Sequence, residues 1–203
     1  MTYAGPGGHS HGDFGMPNPM HAMGRAIAAI ADLEVPQSPR TTFNVGVVRG
    51  GTSVNSIAAE ATFELDMRSA SAASLARLDS AARRAIEDAR AAEQRRWPKS
   101  TVALTVRIDT IGIRPAGSQP ADAPIIAAAR DAAIAVGATP GRPGASSTDA
   151  NVPIGLGIPA LTIDGGGRGD GAHSLGEWYE DGPEGYKGPQ WALVLVTTLA
   201  GAR

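Results

Sequence analysis

The sequence predicts an α+β protein: a ferredoxin-like βαββαβ sandwich followed by an incomplete α/β segment. Three observations lead there. Ala61, Phe63, Leu65 and Met67 alternate with Thr62, Glu64, Asp66 and Arg68, the period of a strand with one buried face. Leu75, Leu78, Ala82, Ala85, Ile86 and Ala89 recur at the spacing of one apolar helical stripe. The order of such segments through residue 108 is a strand stub, helix, strand, strand, helix and strand, which is the split pattern of that sandwich.

Taken in order, residues 1–17 hold at most a stub of strand and then a glycine-rich loop carrying His9 and His11. Asn18-Pro19 reads as an N-cap with proline at the first helical position. The helix runs to about Asp32, with Met20, Met23, Ile27 and Ile30 on one face, and Val35-Pro36 and Ser38-Pro39 end it. Thr41 to Arg49 reads as a strand with Phe43, Val45 and Val47 sharing a face. Gly50-Gly51 makes a turn, Ser53 to Ile57 is a short extended piece, and the alternating strand follows. Ser71 to about Arg96 is the long helix, with Asp79 and Arg83 paired on its exposed side and Trp97-Pro98 stopping it. Val102, Leu104, Val106 and Ile108 alternate through a final strand.

From Arg114-Pro115 the texture changes, and Gly117 to Pro120 reads as a linker. Two domains are expected, 1–115 and 116–203. In the second, Asp122 is placed to cap a helix from Ala123 to Val136, which Gly137 stops. Ser146 to Asn151 is a polar cluster that either caps a short helix or faces a site. Ile158 to Ile163 reads as a buried-type strand. A mobile glycine-rich loop, Gly165 to Tyr179, follows it and carries His173, and a last helix is expected over Pro189 to Ala202.

Composition narrows the function. The 203 residues, 42% of them hydrophobic, suffice for a packed core, and a net charge of -2 offers no electrostatic basis for binding nucleic acid or an anionic membrane. With no cysteine, disulfides and thiolate metal sites are excluded. Any metal must be held by histidine, carboxylate or water, as in catalytic zinc sites. The apolar run from Trp191 to Ala200 is too short to cross a bilayer, and no signal-peptide pattern follows Met1. A soluble, cytoplasmic protein is expected.

Four features stand together: Gly5-Pro6-Gly7-Gly8-His9-Ser10, Asn55 within Gly50-Gly51-Thr52-Ser53-Val54-Asn55-Ser56-Ile57-Ala58, Arg68 ending Leu65-Asp66-Met67-Arg68, and Ala172-His173-Ser174-Leu175-Gly176-Glu177-Trp178. In this order and spacing they resemble the lid (dimerisation) domain and C-terminal catalytic segment of the M20 metallopeptidases. That family spans di- and tripeptidases, carboxypeptidases, acetylornithine deacetylases and succinyl-diaminopimelate desuccinylases. Ser147-Thr148-Asp149-Ala150 and Lys187-Gly188-Pro189-Gln190 look like the tripeptidase-like branch.

The resemblance implies roles residue by residue. His9 matches the lid histidine that reaches the partner subunit's active site and stabilises a tetrahedral oxyanion; otherwise it is a solvated loop histidine. Asn55 matches a substrate-binding asparagine, or is simply a turn residue. Arg68 matches the arginine that grips a substrate carboxylate through a bidentate fork, or is an ordinary exposed strand arginine. His173 matches the last ligand to one of two zinc ions, and Glu177 either orients it or sits in solvent. Thr148 and Asp149 line the site or cap the following turn. His11 and His21 have no counterpart. A homodimer through the lid domain, a small peptide or N-acyl amino acid substrate, and zinc are all implied.

One departure matters. The family's His-x-Asp pair, bridging aspartate, Glu-Glu pair and further metal ligand have no match. His11-Gly12-Asp13 has the His-x-Asp spacing but lies in the lid motif, and Glu-Glu is absent. A two-metal hydrolytic site needs several such groups. Met1 also falls inside the first lid strand of the family pattern. The expectation is a chain that corresponds to the downstream half of an M20 hydrolase and is inactive alone. The alternatives are a non-catalytic dimerisation module with a vestigial site and a ferredoxin-like ligand-binding regulatory domain.

Overall fold

The chain divides into two units, Met1–Ile113 and Arg114–Arg203, and the computed structural model describes residues 1–201. The elements of the first unit are β1 (Thr2–Ala4), β2 (Gly8–His9), α1 (Pro19–Ala31), β3 (Thr41–Gly50), β4 (Ser56–Ile57), β5 (Glu60–Ser69), α2 (Ala72–Arg96) and β6 (Thr105–Arg107). Four of the strands form one antiparallel sheet in the order β3-β5-β1-β6. This is the strand order of the ferredoxin-like sandwich.

Local chemistry sets the helix ends. The Asn18 side chain accepts the Met20 N–H at the start of α1, with Pro19 at the first helical position. Ser71 accepts the Ser74 N–H at the start of α2, and Arg95 and Arg96 sit in the last turn, where the helix dipole favours cations. Both helices cover one face of the sheet. The core between them holds Tyr3, Met23, Ile30, Phe63, Ile86 and Leu104, with Ala22, Ala26 and Ala82 allowing close approach. Each large side chain buried there contributes about 1.5–3 kcal/mol. The opposite face carries the polar side chains Thr42 and Asn44 of the edge strand β3 and Thr62, Glu64, Asp66 and Arg68 of β5.

Two details differ from the sequence reading. Val47 does not share a face with Phe43 and Val45. The β3–β5 register shifts between Val45, opposite Leu65, and Val47, opposite Glu64. Gly46 is the extra residue of a β-bulge, which turns the following side chains to the other face. The expected strand over 102–108 pairs only at Thr105–Arg107. Ahead of it, the Gln94 amide donates to the Val102 carbonyl at 3.2 Å and accepts the Leu104 N–H at 2.8 Å. A side chain of α2 thus takes the place of a strand neighbour.

A buried carboxylate ties α1 to α2. Glu93, 1% exposed at its side chain, accepts the Asn18 N–H at 3.2 Å, Trp97 Nε1–H at 3.0 Å and Arg25 Nε–H at 3.3 Å. Burying a charge is tolerated only when it is paired and hydrogen-bonded in this way.

The second unit contains α3 (Pro124–Ala135), α4 (Asn151–Gly155), β7 (Arg168–Asp170), β8 (Trp178–Glu180) and α5 (Lys187–Leu199). Ala129 and Ala132 of α3 pack on Leu195 of α5, with Leu161, Ile163 and Trp191 alongside. Trp191 Nε1–H donates to the Ala129 carbonyl at 2.7 Å. The cap of α3 is Ala123, without a side-chain bond, rather than Asp122. The last helix closes at Leu199, and its expected end at Ala202 lies outside the described residues.

Ile158 to Ile163 is not a strand. Ala160 has both backbone groups bonded by the Gln119 side-chain amide, so no ladder is needed to satisfy them. The segment read as a mobile loop instead contains the β7–β8 hairpin, with Arg168 opposite Glu180 and Asp170 opposite Trp178. Among the described residues every paired strand is antiparallel. No helix among them is long and apolar enough to cross a membrane.

Candidate functional site

The glycine-rich turn after β1 places His9. Gly5 N–H donates to the Ala59 carbonyl at 2.9 Å, which starts a return alongside the β4–β5 connection. Gly8 has φ +152, and a Cβ there would lie 2.8 Å from Asp13 Oδ2, so glycine is needed on both counts. Next, β2 and β4 form a two-stranded ladder, Gly8 opposite Ile57 and His9 opposite Ser56. Ser10 N–H donates to the Asn55 carbonyl at 2.9 Å. Two of the four candidate residues, 46 positions apart by number (55 less 9), are therefore held on adjoining strands of backbone.

The side chains are oriented as well. His9 N–H donates to Asp13 Oδ2 at 2.7 Å, and His9 Nδ1 accepts the N–H groups of His11 and Gly12, both at 3.2 Å. Asn55 Oδ1 accepts the Ser53 hydroxyl; its amide nitrogen is the donor end of the side chain. The His9 loop is anchored behind by Phe14, whose ring meets Trp97 edge-on at 5.3 Å between centroids. Trp97 in turn is held by Glu93. Asp13, which closes the loop, was not among the residues singled out from sequence. Its signal is an acidic side chain four positions after the histidine, across a glycine turn.

Arg68 lies elsewhere. It sits near the far end of β5 and donates through Nε to Asp66 Oδ2 at 2.7 Å. From Glu60, beside the β1 turn, to Arg68 is about 26 Å at about 3.3 Å per residue. A small ligand does not span that distance. Within the first unit the structure brings His9 and Asn55 together and leaves Arg68 apart.

In the second unit, His173 lies in the turn joining β7 and β8. It has φ +65, the one left-handed conformation among the described non-glycine residues, which L-residues seldom adopt. Its N–H donates to Glu177 Oε2 at 3.1 Å, so Glu177 braces the backbone of the turn. Thr148 Oγ1 accepts the Ala150 N–H at 3.3 Å and a hydroxyl from Thr162 at 2.8 Å. Asp149 pairs with Arg114 at 3.3 Å. The Ala150 bond is the local contact of a turn residue, whereas Thr162 and Arg114 tie this turn to segments 14 and 35 residues away.

Among the described residues, no group of three or more His, Asp or Glu side chains converges to hold a metal ion. A catalytic zinc requires three protein ligands, so the side chains present do not fit the family's zinc pair.

The peptidase dimerisation domain family matches residues 1–106. Of the solved structures, an aminopeptidase PepT from Bacillus cereus aligns with 98% of this chain and 50% of its own length, at 19% identity and a TM-score of 0.64. A tripeptidase from Staphylococcus aureus aligns with 98% of this chain and 50% of its own, at 17% identity and 0.61. An aminobenzoyl-glutamate utilization protein from Klebsiella pneumoniae aligns with 74% and 37%, at 20% identity and 0.58. These likenesses concern the fold. The chain spans half the length of the two peptidases it matches. No curated protein matches the sequence.

Proposed function

Because this chain belongs to the M20 peptidase dimerisation family, we propose that it supplies the dimerising and substrate-gripping part of an amide-bond hydrolase acting on a small peptide or N-acyl amino acid. The observation that carries this reading is the β2–β4 ladder, which sets His9 beside the Asn55 loop. In the proposed reaction a tetrahedral oxyanion forms at the scissile carbonyl, and His9 donates a hydrogen bond to it. Asn55 holds the substrate through its amide nitrogen. Arg68 binds a substrate carboxylate. Its separation from His9 means that the two serve different copies of the site, as a homodimer allows. The homodimer forms along β3, a ten-residue edge strand; such an edge has backbone groups free to pair with another chain.

His173 is offered as one metal ligand only. The side chains present do not complete a zinc site, so the remaining donors and the general base must come from residues other than these. This chain by itself is therefore expected to hydrolyse no peptide at an enzyme's rate. The test is to assay di- and tripeptides with added zinc or cobalt. A turnover near the typical ~10 per second overturns the assignment. Co-expression with a polypeptide carrying the His-x-Asp and Glu-Glu donors should restore hydrolysis, and His9→Ala should then lower kcat by roughly a hundredfold or more.

A second reading is favoured by one observation: the family match is confined to the dimerisation domain, residues 1–106. On that reading the chain is a non-catalytic dimerisation module. Tight, stoichiometric zinc in the complemented assembly, lost in His173→Ala, separates the first reading from the second.

A further inference from the structure

We propose that Asp13 is a positioning residue that, together with the backbone N–H groups of His11 and Gly12, holds His9 in a single neutral tautomer with its proton on Nε2. The use made of that proton rests on the reading of His9 above; the tautomer itself follows from geometry.

A backbone N–H can only donate. Two of them, from His11 and Gly12, point at His9 Nδ1 from 3.2 Å. An imidazole nitrogen that accepts must carry a lone pair, so the ring proton of the neutral side chain resides on Nε2. The opposite tautomer would set an Nδ1–H against two N–H groups and forfeit both bonds. The turn that aims those donors is closed at its base by Asp13. The Asp13 carboxylate accepts the His9 N–H at 2.7 Å, and Asp13 N–H donates back to the His9 carbonyl at 2.9 Å. Neither contact touches the imidazole, so Asp13 acts on the ring only through the backbone it fixes. The second neighbour of the turn, Phe14, meets Trp97, which caps α2 and donates to the buried Glu93. The result is an Nε2–H donor whose direction is set before any ligand arrives, which is the form an oxyanion contact requires.

The experiment is nitrogen NMR of histidine-labelled protein at about pH 8.5, above the ordinary imidazole range. The protein has 4 histidines, and loss of one signal set in His9→Gln assigns His9. In the wild-type chain Nδ1 should give a pyridine-type signal and Nε2 a pyrrole-type signal, with one tautomer in at least about tenfold excess. Asp13→Asn keeps an acceptor oxygen and should keep the excess. Asp13→Ala should relax His9 toward the mixture of a short peptide, with circular dichroism unchanged. An Nδ1–H signal or a peptide-like mixture in the wild-type chain overturns the proposal, as does an unaltered tautomer in Asp13→Ala. This readout is independent of hydrolysis. A locked tautomer with no effect of His9→Ala on the complemented enzyme would defeat the functional reading alone. A mixed tautomer with a large His9→Ala effect would defeat this one alone.

Discussion

His9 and Asp13 close on each other from both sides: the His9 amide donates to the Asp13 carboxylate at 2.7 Å, and the Asp13 amide donates to the His9 carbonyl at 2.9 Å. The pair makes a rigid knot of a segment that is otherwise glycine and short polar residues. Gly8 is what allows it, since a side chain there would collide with the Asp13 carboxylate. Gly8→Ala should therefore open the knot. Amide exchange at His9 and Asp13 should rise by tenfold or more, while the stability of the first unit falls by only about 1 kcal/mol. Exchange unchanged from wild type would show that the knot does not depend on Gly8.

The carboxylate of Glu93 is the joint between α1 and α2. Glu93→Ala leaves the Asn18 and Trp97 N–H groups without their acceptor. It should cost about 3 kcal/mol in urea unfolding. Asp79→Ala removes an exposed helix pair and should change stability by no more than about 0.5 kcal/mol.

Tyr3 predicts an alkaline limit. Its hydroxyl donates to the Ile86 carbonyl at 2.7 Å inside the core. Burial, with the charge of Glu87, pushes its ionisation well above the usual phenol range, and Arg90 opposes this weakly. The folded state thus holds the proton more tightly than the unfolded one. The contribution is complete below the unfolded value of about 10 and is lost as pH rises beyond it. The melting temperature should fall above pH ~10, and Tyr3→Phe should flatten that fall.

In the second unit the test is Gly188. A Cβ there would overlap the backbone of Gly165 and Gly166, where α5 passes against the start of the glycine-rich segment. Gly188→Ala should destabilise by roughly 3 kcal/mol in urea unfolding. Gly141→Ala, which meets open space, should stay within about 0.5 kcal/mol.

The proposed dimerisation through β3 gives a charge test. Asn44 and Val47 lie on this edge strand, on the polar face of the sheet. Lysine at both places sets like charges against each other in a strand-paired dimer, so Asn44→Lys with Val47→Lys should weaken association at least tenfold by sedimentation. A dimer of unchanged affinity would place the interface elsewhere.

The β5 alternation and the α2 stripe were legible in the sequence because both periods are local. Each is set by which side chains face water along a few turns or pleats. Asn18 and Ser71 were equally legible as helix starts, since a cap bonds the backbone two or three residues on. By itself the sequence thus determined the order of the sandwich elements and the motifs that place the chain in its family. Tertiary structure decided what depends on distant partners. Gln94 and Gln119 satisfy backbone groups that a strand pattern had claimed, and the Gly46 bulge turns Val47 over because β5 offers one residue fewer. Asp13 carries no periodic signal at all. Its bond to His9 spans only four residues across a glycine turn, so the contact itself is local. What tertiary structure adds is the pairing of β2 with β4 that sets this turn beside Asn55, because the direction of a hydrogen bond in space is fixed by what holds its ends.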